Sequence, residues 1–562
     1  MQKDGPDEAD PKVDDIKDAG AGTGWEQPSD TEMTSDTLVT EAVAEAVPDE
    51  APARLRKRAG RAGNHRRGGA AIRQLPWTNV INIDHPTEPL PPEGVEAVHD
   101  GAMRILEEIG IEILNEEAVA VLRDAGCIVD GENVRMGRDF VMEMLKHAPR
   151  EFTITPRNPD RKITIGGRHL VFGNISSPPN CSDIERGRRS GNREDFRELL
   201  KLTQYFNCIH FAGGYPVEPI DLHPSIRHLD ALYDKLTLTD KVMHAYSLGP
   251  ERVEDVMEMV RIAGGLTHDE FDATPRMYTN INSTSPLKHD WPMLDGAMRL
   301  ARRGQPTIVT PFTLAGAMAP VTMIGAVTQS IAEALAAIVL LQCVNPGVGV
   351  GIGTFTSNVD MKTGAPAFGT PDYVRATQIT GQMARFYGLP LRSSNTCAAN
   401  TPDNQAMWES MMSMWAVVTS GTNMVYHAAG WLEGGLCASF EKFVMDCEVL
   451  QQFIAYMKPL TTGPEDIAVD AIREVGPGGH FFGIQHTQDR YENAFYAPFL
   501  SDWSNYENWE DRGAVTTVER ANTVCKNILA EYEAPPMDEA IREELEAFVE
   551  RRKAEGGAPT DF

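Results

Sequence analysis

Six aromatic residues stand near the ends of segments that the sequence predicts as β-strands, and their chemistry suits a methylated cation. They are Tyr215, Tyr246, Phe312, Phe355, Tyr426 and Trp431. A quaternary ammonium group spreads its charge over methyl groups that cannot donate N–H hydrogen bonds, so aromatic faces attract it. Core packing also accounts for buried rings. Two interpretations therefore stand, an aromatic cage and ordinary core filling.

The histidines offer a weaker case for a metal site. His480 and His486 are six positions apart, and Cys447 lies upstream. This separation matches neither an i, i+4 pair on a helix nor a knuckle spacing. We expect no metal, and we interpret the two histidines as structural or, for His480, as a ring near the substrate.

Three common catalytic or nucleotide-binding motifs are missing or do not fit. The stretch 347–353 has a glycine at every second position, which departs from the GxGxxG pattern of dinucleotide loops. We interpret it as a strand whose glycines let another backbone or a ligand approach closely. The sequence has no GxSxG elbow and no P-loop, which argues against hydrolases and NTPases.

Net charge restricts the partners of the chain. The 562 residues include 52 Lys and Arg against 81 Asp and Glu, giving a net charge of −29. An acidic protein of this kind is repelled by phosphate backbones and by anionic membrane surfaces. We therefore expect neither nucleic acid nor a membrane as partner.

Cysteine usage and the N-terminus predict a cytoplasmic protein. The eight cysteines are scattered without a CxxC pair, as in proteins with reduced thiols. The N-terminus has neither a basic start nor an apolar core, so it does not resemble a secretory signal.

The chain that must position the candidate residues divides into four predicted regions. Residues 1–70 are predicted as a disordered tail, acidic at first and then rich in arginine. A helical N-terminal cap is expected over 71–165, a (β/α)8 TIM barrel over 166–460, and a C-terminal extension packed on the barrel over 461–562.

Eight strand-like segments alternate with amphipathic helices, which predicts a closed α/β barrel. The predicted strands span 169–174, 208–215, 241–247, 276–282, 306–312, 347–355, 389–395 and 422–430. The predicted helices lie near 193–206, 223–236, 251–263, 291–303, 323–342, 371–387, 403–420 and 438–457. A doubly wound open sheet is the alternative. In a barrel, residues just past each strand gather at one mouth, where we expect the site.

Several long motifs resemble the trimethylamine methyltransferase family. They are ThrPheThrSerAsnValAspMetLysThrGlyAlaProAlaPheGlyThrProAsp at 354–372, AlaAlaGlyTrpLeuGluGlyGlyLeu at 428–436, GluValGlyProGlyGlyHisPhePheGly at 474–483, PheTyrAlaProPheLeuSerAspTrpSerAsnTyrGluAsnTrp at 495–509 and TyrGluAlaProProMetAspGluAla at 532–540. The resemblance covers about residues 70–555. It implies a barrel enzyme that passes a methyl group from its substrate to the cobalt of a separate corrinoid protein.

One departure from the family pattern bears on the substrate. Members that use trimethylamine carry pyrrolysine in the loop after the seventh strand, at a position that aligns near Asn400 or Thr401. This chain has ordinary amino acids there. Members without pyrrolysine include a glycine betaine methyltransferase, and a quaternary amine already carries a good neutral leaving group. The resemblance therefore favours glycine betaine or a related quaternary amine.

The expected roles follow from this resemblance and from the barrel geometry. Tyr215, Tyr246, Phe312, Phe355 and Trp431 are candidate walls of a substrate cage. His427 and His480 are candidates for orienting a substrate carboxylate, and Asn395 and Asn400 for lining the path of the corrinoid. We expect no permanently bound cofactor, cobalamin supplied by a partner protein, and a homo-oligomer.

Other functions stay open on the sequence. The barrel could bind betaines as a sensor without turnover, or it could transfer methyl groups from a sulfonium or a tertiary amine. An acceptor other than a corrinoid is a further alternative. The sequence does not separate these functions.

Overall fold

A closed barrel of eight parallel strands forms the centre of the computed structural model, which describes residues 72–560. The strands are β1 (His169–Asn174), β2 (Phe211–Ala212), β3 (Val242–Ala245), β4 (Tyr278–Ile281), β5 (Thr307–Val309), β6 (Val350–Gly353), β7 (Leu391–Ser394) and β8 (Met424–Ala429). Each pairs with the next, and β8 pairs with β1 to close the ring. The predicted barrel is confirmed. The tail predicted over 1–70 lies outside the described residues.

A helix follows every barrel strand. The helices are α1 (Arg193–Tyr205), α2 (Pro224–Leu238), α3 (Pro250–Ala263), α4 (Trp291–Arg302), α5 (Met323–Val344), α6 (Pro371–Tyr387), α7 (Asn404–Ser420) and α8 (Phe440–Tyr456). Because each helix returns the chain to the start of the next strand, the helices run antiparallel to the strands. All eight predicted helices are present with bounds shifted by a few residues.

Helix α5 is apolar nearly all round because it is covered on both sides. Within the described residues it is the one helix long and apolar enough to span a membrane, and 83% of its apolar window is buried inside the protein. One side of α5 packs on the barrel and the other on the segment before the barrel. Burial from two sides explains the composition of this core helix.

The segment before the barrel combines helices with small sheets. It contains the helices Pro92–Arg104, Glu116–Asp124 and Arg138–Leu145 and the π-helical turn Ile105–Ile109. The strands Ile111–Ile113, Ile128–Asp130 and Asn133–Arg135 form a sheet with Lys288–His289. Strand Val80–Ile81 pairs antiparallel with β1.

A β-hairpin closes the end of the barrel where the strands begin. Its strands are Glu151–Ile154 and Ile163–Gly166. Ile154, Ile163 and Ile165 pack in one buried cluster with side chains from the barrel interior, including Val171 and Phe211. This apolar plug leaves the opposite end of the barrel as the open mouth.

The glycines of β6 make room for side chains of neighbouring elements. A Cβ on Gly353 would lie 2.0 Å from Oγ1 of Thr310, and one on Gly349 would lie 3.0 Å from the Phe152 ring. A Cβ on Gly351 would lie 2.8 Å from Cδ1 of Ile308 and 3.3 Å from the backbone carbonyl oxygen of Pro390. Both side chains and a neighbouring backbone therefore approach this stretch closely.

Short strands add two small sheets to the barrel loops. One contains Asn180–Asp183, Gly187–Ser190, Trp431–Leu432 and Cys437–Ser439, and the other Leu314–Ala315, Ser357–Val359 and Pro366–Ala367. The first sheet joins the loop after β1 to the loop after β8. It therefore holds Trp431 in a fixed position at the mouth.

The chain after α8 forms six helices, of which the last two pack on the barrel. They are Pro464–Ile467, Val469–Val475, Gln485–Gln488, Tyr506–Asp511, Thr517–Glu531 and Glu539–Ala554. Helix Thr517–Glu531 buries Ala521, Cys525 and Ile528 in the main core. Helix Glu539–Ala554 packs against α2 and α3. The division of the chain at residues 165 and 460 stays a proposal.

Candidate functional site

A cavity of about 520 Å³ opens at the mouth of the barrel. Its wall includes Ser176 after β1, Glu218 after β2, Tyr246 after β3 and Asn282 after β4. Phe312, Phe355, Arg392, His427 and Trp431 complete the ring from the second half of the barrel. The cavity therefore lies where the loops of a TIM barrel converge.

Aromatic rings cover one side of this cavity. The ring centre of Phe355 lies 5.1 Å from that of Phe312 and 5.9 Å from that of Trp431. The Trp431 ring also lies 4.3 Å from the ring of His427, and its Nε1 donates to the carbonyl of Cys397 over 2.9 Å. The indole is thus fixed by a hydrogen bond as well as by packing.

Tyr246 is held by hydrogen bonds to the loop after β1 and to the chain after β2. The backbone N–H of Tyr215 donates to its hydroxyl over 2.8 Å, and the hydroxyls of Ser176 and Ser177 lie within hydrogen-bond distance. A Cβ on Gly214 would lie 2.1 Å from this hydroxyl oxygen, so only glycine fits beside it. Burial raises the pKa of Tyr246 above its usual value.

Arg392 on β7 is a buried cation at the floor of the cavity. Its side chain is 3% exposed, and the guanidinium carbon lies 4.5 Å from the centre of the Tyr426 ring. Within residues 72–560, neither Nε nor Nη1 has a hydrogen-bond partner. Burial lowers the pKa of Arg392 to about 10, so the group stays cationic at neutral pH. A buried cation with unpaired donors favours an anionic hydrogen-bond partner.

His427 occupies an irregular position in β8. The pairing register of β8 with β1 shifts between Val425 and Ala429, and His427 has a φ of 54°. A positive φ costs energy for a residue with a side chain, so the surrounding structure holds it. The irregular strand places the ring against Trp431 and beside Arg392.

Two histidines and one carboxyl group in the cavity have shifted pKa values. Burial lowers the pKa of His244 well below its ordinary value, and it does the same for His427 with Arg392 as a second cause. Both imidazoles are therefore neutral at physiological pH. Burial raises the pKa of Glu218, whose Oε2 lies 3.8 Å from the Arg227 guanidinium.

The structure brings together five of the nine predicted site residues. Tyr246, Phe312, Phe355, His427 and Trp431 all line the mouth cavity. Tyr215 packs edge-on against Tyr246 at 4.8 Å between ring centres and lines a smaller adjoining cavity of about 230 Å³. Tyr215 thus supports the wall from behind.

The other three predicted residues lie outside the cavity. Asn395 is buried in the barrel wall, where its Nδ2 donates to the carbonyl of Ala428. Asn400 is exposed in the turn before α7. His480 is exposed beyond the end of α8, and that helix ends on the side of the barrel opposite the mouth. His480 does not line the mouth cavity.

Sequence reasoning missed Arg392, Glu218 and His244. A signal for Arg392 existed, because it is the one charged residue within the predicted strand 389–395. A charged side chain on a barrel strand faces either the barrel interior or the helices, and in either environment it needs a polar or charged partner. Glu218 lies in a loop and gave no comparable signal.

The described residues contain no arrangement typical of a metal site. From 72 to 560, no group of three or more His, Cys, Asp or Glu side chains is arranged to hold a metal ion. All eight cysteines are free thiols. His480 and His486 both lie in the exposed segment after α8, where Nε2 of His486 is 3.0 Å from the Glu465 carbonyl.

Comparison with known proteins identifies the family. Residues 56–557 match the trimethylamine methyltransferase (MTTB) family. The chain is 37% identical to a glycine betaine methyltransferase of Desulfitobacterium hafniense (strain Y51), over 86% of this chain and 99% of the relative. It is 27% identical to a trimethylamine methyltransferase of Desulfitobacterium hafniense (strain DSM 10664 / DCB-2), over 83% of this chain and 94% of that protein.

Solved structures give a weaker likeness. The monomethylamine methyltransferase of Methanosarcina barkeri aligns with 81% of this chain and 92% of its own, at 10% identity and a TM-score of 0.41. The match over residues 56–557 and the 37% identity cover most of the sequence. The chain therefore belongs to the trimethylamine methyltransferase family.

Proposed function

We propose that this enzyme transfers a methyl group from glycine betaine, or a close quaternary relative, to the cobalt of a corrinoid held by a separate protein. The observation that carries the proposal is the presence of an aromatic wall and a buried arginine in one cavity. Betaine is a zwitterion with a methylated cation at one end and a carboxylate at the other. The cavity offers a partner to each end.

The ammonium end fits the aromatic side of the cavity. Phe312, Phe355 and Trp431 present π faces, and each favourable contact with a methylated cation contributes roughly 0.5–2 kcal/mol. Glu218 lines the same cavity, and its carboxylate attracts a cation when it is ionised. Both features favour a cation that carries methyl groups.

The carboxylate end fits Arg392 and His427. The backbone N–H of Ser176 lies 3.2 Å from Nδ1 of His427 and donates to it, which leaves the ring proton on Nε2. Nε2 of His427 and Nη2 of Arg392 are then two donors 3.4 Å apart. A carboxylate oxygen between them would accept from both and would neutralise the buried guanidinium.

The transfer itself breaks one C–N bond and moves no proton. The bonding pair stays on nitrogen, so the leaving product is a tertiary amine with a neutral nitrogen that keeps the carboxylate of the substrate, while the methyl carbon becomes bonded to cobalt. The corrinoid supplies the nucleophilic electron pair in its reduced Co(I) state. The residues of this chain hold the methyl group toward the mouth and exclude water from it. Neutral His244 and His427 suit this role.

The partner protein must approach the mouth to receive the methyl group. The outer rim of the cavity includes Gly434, Gly435 and Leu436, and the Leu436 side chain is 56% exposed. Small residues beside an exposed leucine leave room for a planar macrocycle to come close. We place the enzyme in the cytoplasm, where its eight free thiols stay reduced.

Methyl transfer with a purified corrinoid protein tests this proposal. The corrinoid is reduced, each substrate is added, and cobalt methylation is followed by absorbance. We expect glycine betaine to be turned over and trimethylamine to react poorly, because ordinary residues stand at Asn400 and Thr401. Turnover of trimethylamine at the rate of betaine would contradict the proposal.

The same assay distinguishes two alternatives, a sulfonium substrate and a betaine sensor without turnover. A sulfonium that also carries a carboxylate, such as dimethylsulfoniopropionate, fits the two ends of the cavity in the same way and is tested beside betaine. Betaine binding measured by calorimetry, without methyl transfer to any corrinoid protein, would indicate a sensor. Choline serves as the control, because it has the methylated cation but lacks the carboxylate.

A further inference from the structure

The segment 458–499, named the arm, is ordered but builds no core of its own. It contains the helices Pro464–Ile467, Val469–Val475 and Gln485–Gln488. Between Lys458 and Phe499 only Ala471 is buried. Ordering a chain costs conformational entropy, which buried apolar surface normally offsets. Within residues 72–560, nothing provides that burial for the arm.

Large apolar side chains of the arm point away from the rest of the protomer. Leu460 is 92% exposed, Phe482 87% and Phe495 88%. Ile467, Val469 and Ile472 are each more than half exposed. An apolar surface of this kind marks a contact with another macromolecule.

Both ends of the arm are anchored on α8 by specific contacts. Lys458 follows directly after the end of α8, and the returning chain binds Glu448 through the Tyr496 hydroxyl and the backbone N–H of Phe499, both at 2.8 Å. Inside the arm, Arg490 contacts the Glu465 carboxylate. The arm is therefore a defined structural feature with its apolar side uncovered.

A second uncovered apolar surface begins beside the root of the arm. Helix α7 exposes Trp408, Met412 and Trp415, named the α7 stripe, at i, i+4 and i+7 on one face. The single charged residue of α7, Glu409, is buried. Trp415 packs on Tyr456, near the end of α8, at 5.6 Å between ring centres. The outer face of a barrel helix is ordinarily polar.

From this adjacency we propose that two copies of the chain associate by exchange of arms, the arm of each lying on the α7 stripe of the other. A two-fold interface must be self-complementary, and a patch that carries both an apolar arm and an apolar stripe meets this condition. Burying the two surfaces against each other covers both in one step. Residues 1–71 contain one aromatic residue, Trp25, so they offer few large apolar side chains to the arm.

The location of the patch leaves the mouth of the barrel free. Helix α8 ends at the closed side of the barrel, where Tyr456 hydrogen-bonds Asp84 and strand Val80–Ile81 pairs with the start of β1. The arm leaves from this side. The arm therefore begins at the end of the barrel opposite the substrate cavity, and this inference does not depend on the proposed function.

Sedimentation velocity of the full chain and of matched variants tests the exchange. We expect the wild-type chain to sediment as a dimer or a multiple of it, and the arm variant Phe482→Ser with Phe495→Ser to sediment as a monomer. The control variant, Val321→Ser with Met361→Ser, changes two side chains that are each 70% exposed outside the patch, and it should stay associated. A monomeric wild-type chain, or an arm variant that stays associated, would overturn the proposal.

Mixing two monomeric variants distinguishes exchange from contact between the two arms. The stripe variant Trp408→Ser with Met412→Ser keeps an intact arm, while the arm variant keeps an intact stripe. A mixed pair retains one of the two arm–stripe contacts, so the mixture should recover dimers that neither variant forms alone. Absence of mixed dimers from a pair of folded variants, with circular dichroism as the check on folding, would overturn the stripe as the receptor of the arm.

Discussion

Nη2 of Arg392 lies 3.4 Å from Nε2 of His427, so a cationic guanidinium and a neutral imidazole are adjacent at the floor of the cavity. Because the Ser176 N–H donates to Nδ1, the His427 proton belongs on Nε2, and both groups then direct donors to the same place. Burial and the charge of Arg392 lower the pKa of His427, which keeps the imidazole neutral. An anionic oxygen is the partner that this pair lacks.

Replacing the guanidinium should remove the preference for a carboxylate. For Arg392→Gln we expect betaine affinity to fall roughly tenfold to a hundredfold, because a hydrogen bond to a charged group contributes about 1.5–3 kcal/mol. Choline has no carboxylate, so its affinity should change little. Calorimetry with both ligands on both proteins measures the difference, and equal losses for betaine and choline would argue against a carboxylate at Arg392.

Replacing one aromatic ring of the proposed cage by an aliphatic side chain should weaken betaine binding without unfolding the barrel. Phe312→Leu keeps an apolar side chain but removes a π face, and we expect betaine affinity to fall about twofold to thirtyfold. Phe386→Leu makes the same change on a ring that is 46% exposed on α6, away from the cavity, and it should leave affinity unchanged. If the two variants bind betaine equally, the ring of Phe312 does not contact the ligand.

Betaine affinity should decrease in acid because of Glu218. Burial raises the pKa of this carboxyl, and a bound cation favours the ionised form. Affinity is therefore complete above that pKa and is lost as the pH falls through it. In Glu218→Gln the affinity should be lower at neutral pH and should no longer change over this acid range. A variant with the pH profile of the wild type would assign the titration to another group.

Adding a methyl group at Gly214 should displace Tyr246. The new Cβ would lie 2.1 Å from the Tyr246 hydroxyl and 2.0 Å from Oγ of Ser176, so one of them must move. For Gly214→Ala we expect a loss of about 1–3 kcal/mol in the free energy of unfolding, together with weaker betaine binding. Gly483→Ala is the control, because Gly483 is outside the positive-φ region and a Cβ added there would have no atom within 4 Å. Chemical denaturation of both variants measures the difference.

The order of strands and helices followed from local patterns in the sequence. Each barrel strand is buried on both faces, and each helix has its own apolar face, so both leave a periodic signal along the chain. The aromatic residues at the strand ends were found in the same way. Family motifs then indicated a methylated cation as the ligand, because the resemblance covers nearly the whole chain.

Tertiary structure decided which of these residues meet. Arg392 belongs to the site because β7 turns it into the cavity, whereas Asn395, three residues later, is held in the barrel wall by the carbonyl of Ala428. Residue type does not distinguish these positions. The face on which a side chain emerges depends on the register of β7 against its neighbours.

The position of His480 relative to the cavity also could not be predicted from the sequence. The sequence places it after the last barrel helix, which is compatible with either end of the barrel. Helix α8 runs away from the mouth and ends beside Asp84, so the arm that follows begins at the closed end. Sequence alone determined the barrel and the family, and packing between distant segments decided which polar groups line the mouth cavity, because those contacts join residues far apart in the chain.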